Sequence, residues 1–131
     1  LEKNYRFIKK RNTFSNYKVL DEYELIVSTY STLGYEALGR GKKICFFSPK
    51  ISRFEKSYIF GWPYIKKKQG LFFSDKIDYC SIKKILNNVR NISNNLWQKK
   101  ISTNKKNIMT YDSGNLTIKK FLKNKLNEIN K

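Results

Sequence analysis

The sequence contains no histidine and only two cysteines, Cys45 and Cys80, which are far apart and form no Cys-x-x-Cys pair. These absences exclude a structural zinc site and a Ser-His or Cys-His catalytic pair within the chain, and we expect neither a metal nor another cofactor. They also argue against a disulfide-stabilised scaffold and favour a reducing compartment. No apolar run approaches the roughly 20 residues that a membrane-spanning helix needs.

Acidic residues are also scarce, because 10 Asp and Glu face 28 Lys and Arg, which gives a net charge of +18. Such a charge favours an anionic ligand or partner. Most of these cations are lysines, accompanied by many Asn and Ile, as expected from A/T-rich codon usage, whereas nucleic-acid binders more often use Arg. We interpret the run Lys66, Lys67 and Lys68 first as a solvated surface and second as a contact with anionic membrane lipids.

The 131 residues, 40% of them hydrophobic, suffice for one folded domain. Their pattern predicts a strand over 23–29, a helix over 32–39 and a strand over 43–48, which together form a βαβ unit with parallel strands. A long aromatic loop is expected over 49–70. Further predicted elements are a strand over 71–74, a helix over 80–91, a helix capped by Ser93, and a C-terminal helix whose apolar stripe (Ile118, Phe121, Leu122, Leu126 and Ile129) should pack on its own domain.

The most informative residues follow the first predicted strand, at the edge of an α/β sheet where ligands bind. Ser31 and Thr32 stand at a helix N-terminus, whose unpaired amides and positive dipole end suit a phosphate. Glu36 lies one turn later on the same face, where its carboxylate can accept hydrogen bonds from two ribose hydroxyls. Gly34 lacks a Cβ and permits close approach by a ligand or a neighbouring strand.

Spacing alone leaves a purely structural interpretation open for each of these positions. Ser31 or Thr32 can be an ordinary helix N-cap, and Glu36 can form a surface ion pair with Arg40 four residues later. Arg40 and Lys42 lie near the helix C-terminus, where we interpret them as complements of the helix dipole rather than as phosphate ligands.

Two segments carry a resemblance to known proteins. Residues 31–43, STLGYEALGRGKK, resemble the signature of bacterial surface carbohydrate biosynthesis proteins, a group similar to GT-B glycosyltransferases, and more loosely a turn of the glycerophosphotransferases that build teichoic acids. Residues 111–115, YDSGN, resemble a Tyr-Asp-x-Gly-Asn element near the end of the same carbohydrate proteins.

The resemblance implies an α/β fold, a Rossmann-like parallel sheet flanked by helices, like the C-terminal, donor-binding half of a GT-B enzyme. We therefore expect residues 1–131 to be one nucleotide-sugar-binding domain of a longer two-domain chain, inactive without its other half. Ser31 and Thr32 would meet the donor phosphates, Glu36 the ribose, and Gly34 would permit the approach. The implied partners are a nucleotide-sugar donor and a saccharide or lipid-linked acceptor, in the cytoplasm or at the inner face of the membrane.

Two other functions remain open at this point, a basic nucleic-acid-binding module and a non-catalytic relic of the fold. Asp112 can cap the last helix or, in a full-length enzyme, point to the interdomain cleft. Trp62 and Tyr64 can stack on a base or a sugar, or pin a loop to the core. Asp75 and Asp78 flank a polar turn and do not form a convincing acid-base pair.

Overall fold

The computed structural model describes residues 8, 15–29, 31–48, 60–61, 65 and 67–129. A three-stranded parallel sheet with helices around it makes up this part of the chain, as the βαβ pattern predicted. In chain order the elements are α1 (Ser15–Glu22), β1 (Leu25–Ser28), α2 (Thr32–Gly39), β2 (Lys43–Phe47), β3 (Phe73–Ser74), α3 (Tyr79–Asn91), α4 (Asn94–Ile108) and α5 (Leu116–Ile129).

Strand β2 forms the centre of the sheet, between β1 and β3, and all five of its residues are buried. Successive side chains on a strand point to opposite faces. Phe46 contacts the Tyr35 ring of α2 on one face, whereas Lys43 reaches the Arg90 carbonyl of α3 on the other. Helices α2 and α3 therefore cover opposite faces of β2, which explains why the four residues after Lys43 are all hydrophobic.

The turn that terminates helix α2 contains Gly41, the glycine that the sequence indicated. Gly41 has a φ of 84°, and the amides of Gly41 and Lys42 donate to the carbonyls of Leu38 and Ala37, which together form a Schellman motif. Any side chain at this φ would be strained. The Gly41 carbonyl accepts hydrogen bonds from the Trp97 indole at 3.0 Å and the Gln98 amide at 2.7 Å, both on α4. Helix α4 is thereby fixed to the end of α2.

The start of α2 lies against β1 at Gly34, which is buried. A Cβ atom added there would lie 2.5 Å from Ser28 Oγ and 3.0 Å from Phe46 Cε1. Contact of that kind is too short for real side chains, so the missing Cβ is what lets helix and strand pack so closely. Of the two uses expected for Gly34, approach by a neighbouring strand explains it without a ligand.

Much of the predicted loop over 49–70, including Trp62, Tyr64 and Lys66, lies outside the described residues. Phe60, which is described, is only 2% exposed, and its ring stacks on that of Tyr35 with centroids 5.8 Å apart. This part of the loop therefore belongs to the core beside α2.

The two cysteines occupy opposite environments. Cys45 is fully buried in β2, and burial raises the pKa of its thiol to about 12. Cys80 is exposed in the first turn of α3. Cys45 therefore acts as a small core residue, as expected.

The predicted helix cap at Ser93 is confirmed, the structure adds a cap at Asp78, and one packing prediction is wrong. Ser93 Oγ accepts from the Leu96 amide, and Asp78 accepts from the amide and the hydroxyl of Ser81, which accounts for Asp78 without acid-base chemistry. The C-terminal stripe was expected to pack on the domain, but α5 has no buried residue. Helix α5 is amphipathic, but its apolar stripe does not contribute to the core. Within the described part of the chain, no helix has both the length and the apolar character needed to cross a membrane.

We predict that Gly34→Ala destabilises the fold by about 1–3 kcal/mol, because the added methyl group overpacks the contact between α2 and β1. Chemical denaturation followed by circular dichroism measures the change. The second substitution Ser28→Gly removes the two closest atoms and should restore part of the loss. An unchanged or higher stability of Gly34→Ala alone would contradict the packing explanation.

Candidate functional site

A cleft of about 840 Å³ lies where the two motif segments meet. Its volume is within the range of small-molecule sites in proteins. One wall comes from the second half of α2 and from α1, and the other comes from the chain between α4 and α5 and from the first turn of α5. The lining residues are Tyr17, Glu36, Arg40, Met109, Thr110, Tyr111, Asp112, Gly114, Asn115, Thr117 and Ile118.

Glu36 is half-buried and contributes one of the carboxylates that line the cleft. The Tyr17 hydroxyl donates to Glu36 Oε2 at 2.6 Å, and this hydrogen bond with the neighbouring negative charge raises the pKa of Tyr17. The contact holds one carboxylate oxygen in place, and Oε1 accepts no hydrogen bond from the residues that the structure describes. The pairing of Glu36 with Arg40 that spacing allowed is not what forms.

Arg40 instead binds Asp21 on α1, with one guanidinium nitrogen 2.8 and 2.9 Å from the two carboxylate oxygens. Its guanidinium carbon also lies 5.7 Å from the centre of the Tyr111 ring, within reach of a cation-π interaction. Lys42 donates to the Asp21 carbonyl at 3.1 Å. The two cations near the end of α2 therefore serve to attach α1 rather than only to complement the helix dipole.

The second motif forms the opposite wall and the start of α5. Asp112 Oδ2 accepts the Thr117 amide at 2.7 Å, which lowers the pKa of Asp112 and confirms the expected capping role. Asp112 also lines this cleft, while its expected role at an interdomain cleft stays a prediction. The wall can approach α2 because Gly39 has no side chain, since a Cβ there would lie 2.9 Å from Met109 Cγ.

Ser31 and Thr32 lie at the opposite end of α2 from this wall. Ser31 is the N-cap residue, with extended backbone angles, but its side chain makes no capping hydrogen bond, and both hydroxyl side chains are exposed. The Gly34 amide donates instead to the Ser31 carbonyl at 2.9 Å, and the Ser31 side chain caps none of the first-turn amides. Ser28 Oγ, under this turn, is buried and has no hydrogen-bond partner among the described residues.

The structure thus brings Glu36, but not Ser31, Thr32 or Gly34, into contact with the cleft. Thr32, Glu36 and Arg40 are nevertheless spaced four residues apart, so they follow one another along a single face of α2. Tyr17 was missed from the sequence because nothing in the local pattern relates it to a residue 19 positions away.

The model of a known protein family matches residues 1–126 of the chain. The family is described as "putative O-antigen biosynthesis protein". The chain belongs to this family. Neither the curated proteins nor the solved structures that were compared with the chain gave a match.

Membership in this O-antigen biosynthesis family agrees with the surface carbohydrate assignment drawn from residues 31–43 and 111–115. The family description specifies neither an enzymatic reaction nor a ligand, so the GT-B half and the nucleotide-sugar site stay predictions. What the structure adds is that the two segments carrying the resemblance face each other across one cleft.

We predict that Glu36→Gln lowers the pKa of Tyr17, because the substitution removes the negative charge that disfavours the phenolate. In the wild-type protein the pKa of Tyr17 is higher folded than unfolded, so its contribution to stability is present below about pH 10 and is lost as the pH rises through the folded value. Titration of ¹³C-labelled tyrosine by NMR measures the shift. Asp21→Asn is the matched control, and an identical Tyr17 titration in Glu36→Gln and wild type would disprove the coupling.

Proposed function

We propose that this member of the O-antigen biosynthesis family binds the nucleotide of an activated sugar along one face of α2, as the donor-binding part of a glycosyltransferase. The observation that carries the proposal is the arrangement on that face of an uncapped helix N-terminus, a half-buried carboxylate one turn later, and a cleft next to the carboxylate. Each of the three corresponds to one part of a nucleotide sugar.

The phosphates would bind at the first turn, to the amides after Ser31 and to the hydroxyls of Ser31 and Thr32. Support comes from the missing side-chain cap, which leaves the Thr32 and Leu33 amides to a ligand, whereas the Gly34 amide donates to the Ser31 carbonyl. The dipole of α2 and the charge of +18 both favour an anion there. Gly34 acts indirectly in this proposal, by seating the first turn close against β1.

The ribose would bind at Glu36, which lies about 6 Å further along the helix axis than Thr32. Its Oε1 atom is available to a hydroxyl group while Tyr17 holds Oε2 in place. The adjoining cleft of about 840 Å³ has room for the nucleobase, which follows the ribose, beside the Tyr111 ring. Arg40 is occupied by Asp21 and supports this wall rather than binding phosphate.

The chemical role of such a site is to stabilise the nucleotide as a leaving group. Negative charge grows on the phosphate when the bond to the sugar breaks, and preorganised amides at a helix N-terminus stabilise it. This role needs no metal. The acceptor, a saccharide or a lipid-linked saccharide, and the base that activates it would be supplied outside the described residues.

Calorimetric titration with UDP, CMP and GDP tests the proposal. We expect the wild-type chain to bind at least one of them, and Glu36→Ala to weaken that binding about tenfold or more, because hydrogen bonds to charged groups contribute about 1.5–3 kcal/mol. Thr32→Ala should weaken binding by a smaller factor. Lys67→Gln combined with Lys68→Gln is the control for general electrostatics, and it should leave the affinity within about twofold.

Three results would overturn the proposal. Equal nucleotide affinity of the wild type and Glu36→Ala would rule out the proposed contact between Glu36 and the ribose. Absence of binding to every nucleotide would indicate a non-catalytic relic of the fold. Binding of an oligonucleotide that falls by orders of magnitude between low and moderate salt, and that ignores Glu36→Ala, would instead identify a nucleic-acid-binding module. Circular dichroism of each variant confirms that it is folded.

A further inference from the structure

Helix α5 presents an apolar face to solvent along its whole length. Five of its apolar side chains form this face and are between 53% and 79% exposed, and the first of them also borders the cleft: Ile118, Phe121, Leu122, Leu126 and Ile129. At 100° per residue they occupy an arc of about 140° on the helix. A monomeric soluble domain rarely leaves such a continuous patch uncovered, so the face indicates a binding surface.

The rest of α5 is strongly basic. Lys119, Lys120 and Lys123 lie together on the side opposite Phe121, while Lys125 projects from within the apolar arc and pairs with Glu128 at 2.6 Å. Four lysines and one glutamate give the helix a net charge of +3. The surface that covers the apolar face must therefore be apolar and anionic at once.

We propose that α5 lies on an anionic lipid surface, with its apolar arc among the acyl chains near the headgroups and its lysines at the headgroup phosphates. Fourteen residues are too few to span a bilayer but suit a helix in the interface plane. Lys125 fits this position, because a long side chain within the apolar arc can extend its ammonium group to the headgroups. The inference goes beyond the proposed function and holds whether or not the cleft binds a nucleotide.

Charge decides against a second copy of the chain as the occupant. Two chains, each carrying +18, would repel each other as they approach, because like charges are brought together. An acidic surface on another protein satisfies the charge as well. The lipid surface is favoured because α5 is exposed along both faces, as a helix that rests on a plane requires, rather than recessed beside a groove.

Flotation of the full 131-residue chain with phosphatidylcholine vesicles, with and without about 30% phosphatidylglycerol, tests this inference. We expect binding to the anionic vesicles only. Phe121→Ser combined with Leu122→Ser should reduce binding about tenfold or more, because burial of such side chains drives the partitioning. Both side chains are exposed and lie outside the core, so the substitutions should leave the fold intact. Near-ultraviolet circular dichroism verifies this.

Charge is tested by Lys119→Gln combined with Lys123→Gln, for which we expect a loss of about fivefold per lysine. Lys84→Gln combined with Lys99→Gln removes the same charge from α3 and α4 and should have a smaller effect. A further variant, Phe121→Trp, reports insertion directly, since its fluorescence should shift to the blue on anionic vesicles.

The inference is overturned if the wild type does not bind anionic vesicles, or if the double serine variant binds as well as the wild type. It is also overturned if sedimentation shows a dimer that the serine variant converts to a monomer, because the occupant is then a second chain. Nucleotide affinity is measured separately, on Glu36→Ala and wild type, so that failure of one proposal does not decide the other.

Discussion

The close seating of α2 is the constraint on which the rest of the structure depends. This helix of eight residues touches the sheet through Gly34, the wall before α5 through Gly39, and α4 through the turn at Gly41. At the first two positions a single methyl group would force neighbouring atoms apart, and at the third it would strain the backbone. Close packing on three sides fixes where Glu36 and Arg40 stand.

Polar contacts on the remaining side of α2 complete this arrangement. Tyr17 and Asp21 on α1 bind Glu36 and Arg40, so the two charged residues of α2 that line the cleft are each held by a residue of α1. The Asp21 pair is partly exposed and contributes little to stability by itself. Its effect is geometric, because it orients the guanidinium group beside the Tyr111 ring.

The parts of the fold that could be predicted from the sequence are those that local patterns determine. The β-branched centre of β1, the Gly41 turn and the caps at Ser93 and Asp112 all depend on residues within a few positions of one another. The cleft could not be predicted as a cleft, since it depends on contacts between α1, α2 and the segment before α5. Of the residues that line the cleft, Glu36 could be predicted because it lies one turn after Thr32, whereas Tyr17 gave no local signal.

For the C-terminal helix, the sequence pattern predicted the element correctly but not its packing. Periodicity correctly located an amphipathic helix over Leu116–Ile129, but the same periodicity does not specify what covers its apolar side. The usual answer, the domain's own core, is wrong here because the core is already closed by α3 and by the first half of α4, through Ile85, Val89, Trp97 and Ile101. A pattern defines a face, and the surrounding fold decides its partner.

The contrast between the two thiols has a practical consequence for spectroscopy. Cys45, enclosed in β2 with its proton tightly held, will not react with a maleimide while the chain is folded, whereas Cys80 is open to the reagent. A single fluorophore or spin label can therefore be attached at Cys80 of the natural sequence, without removing any cysteine. Since Cys80 does not line the cleft, such a label would leave the cleft open to a ligand.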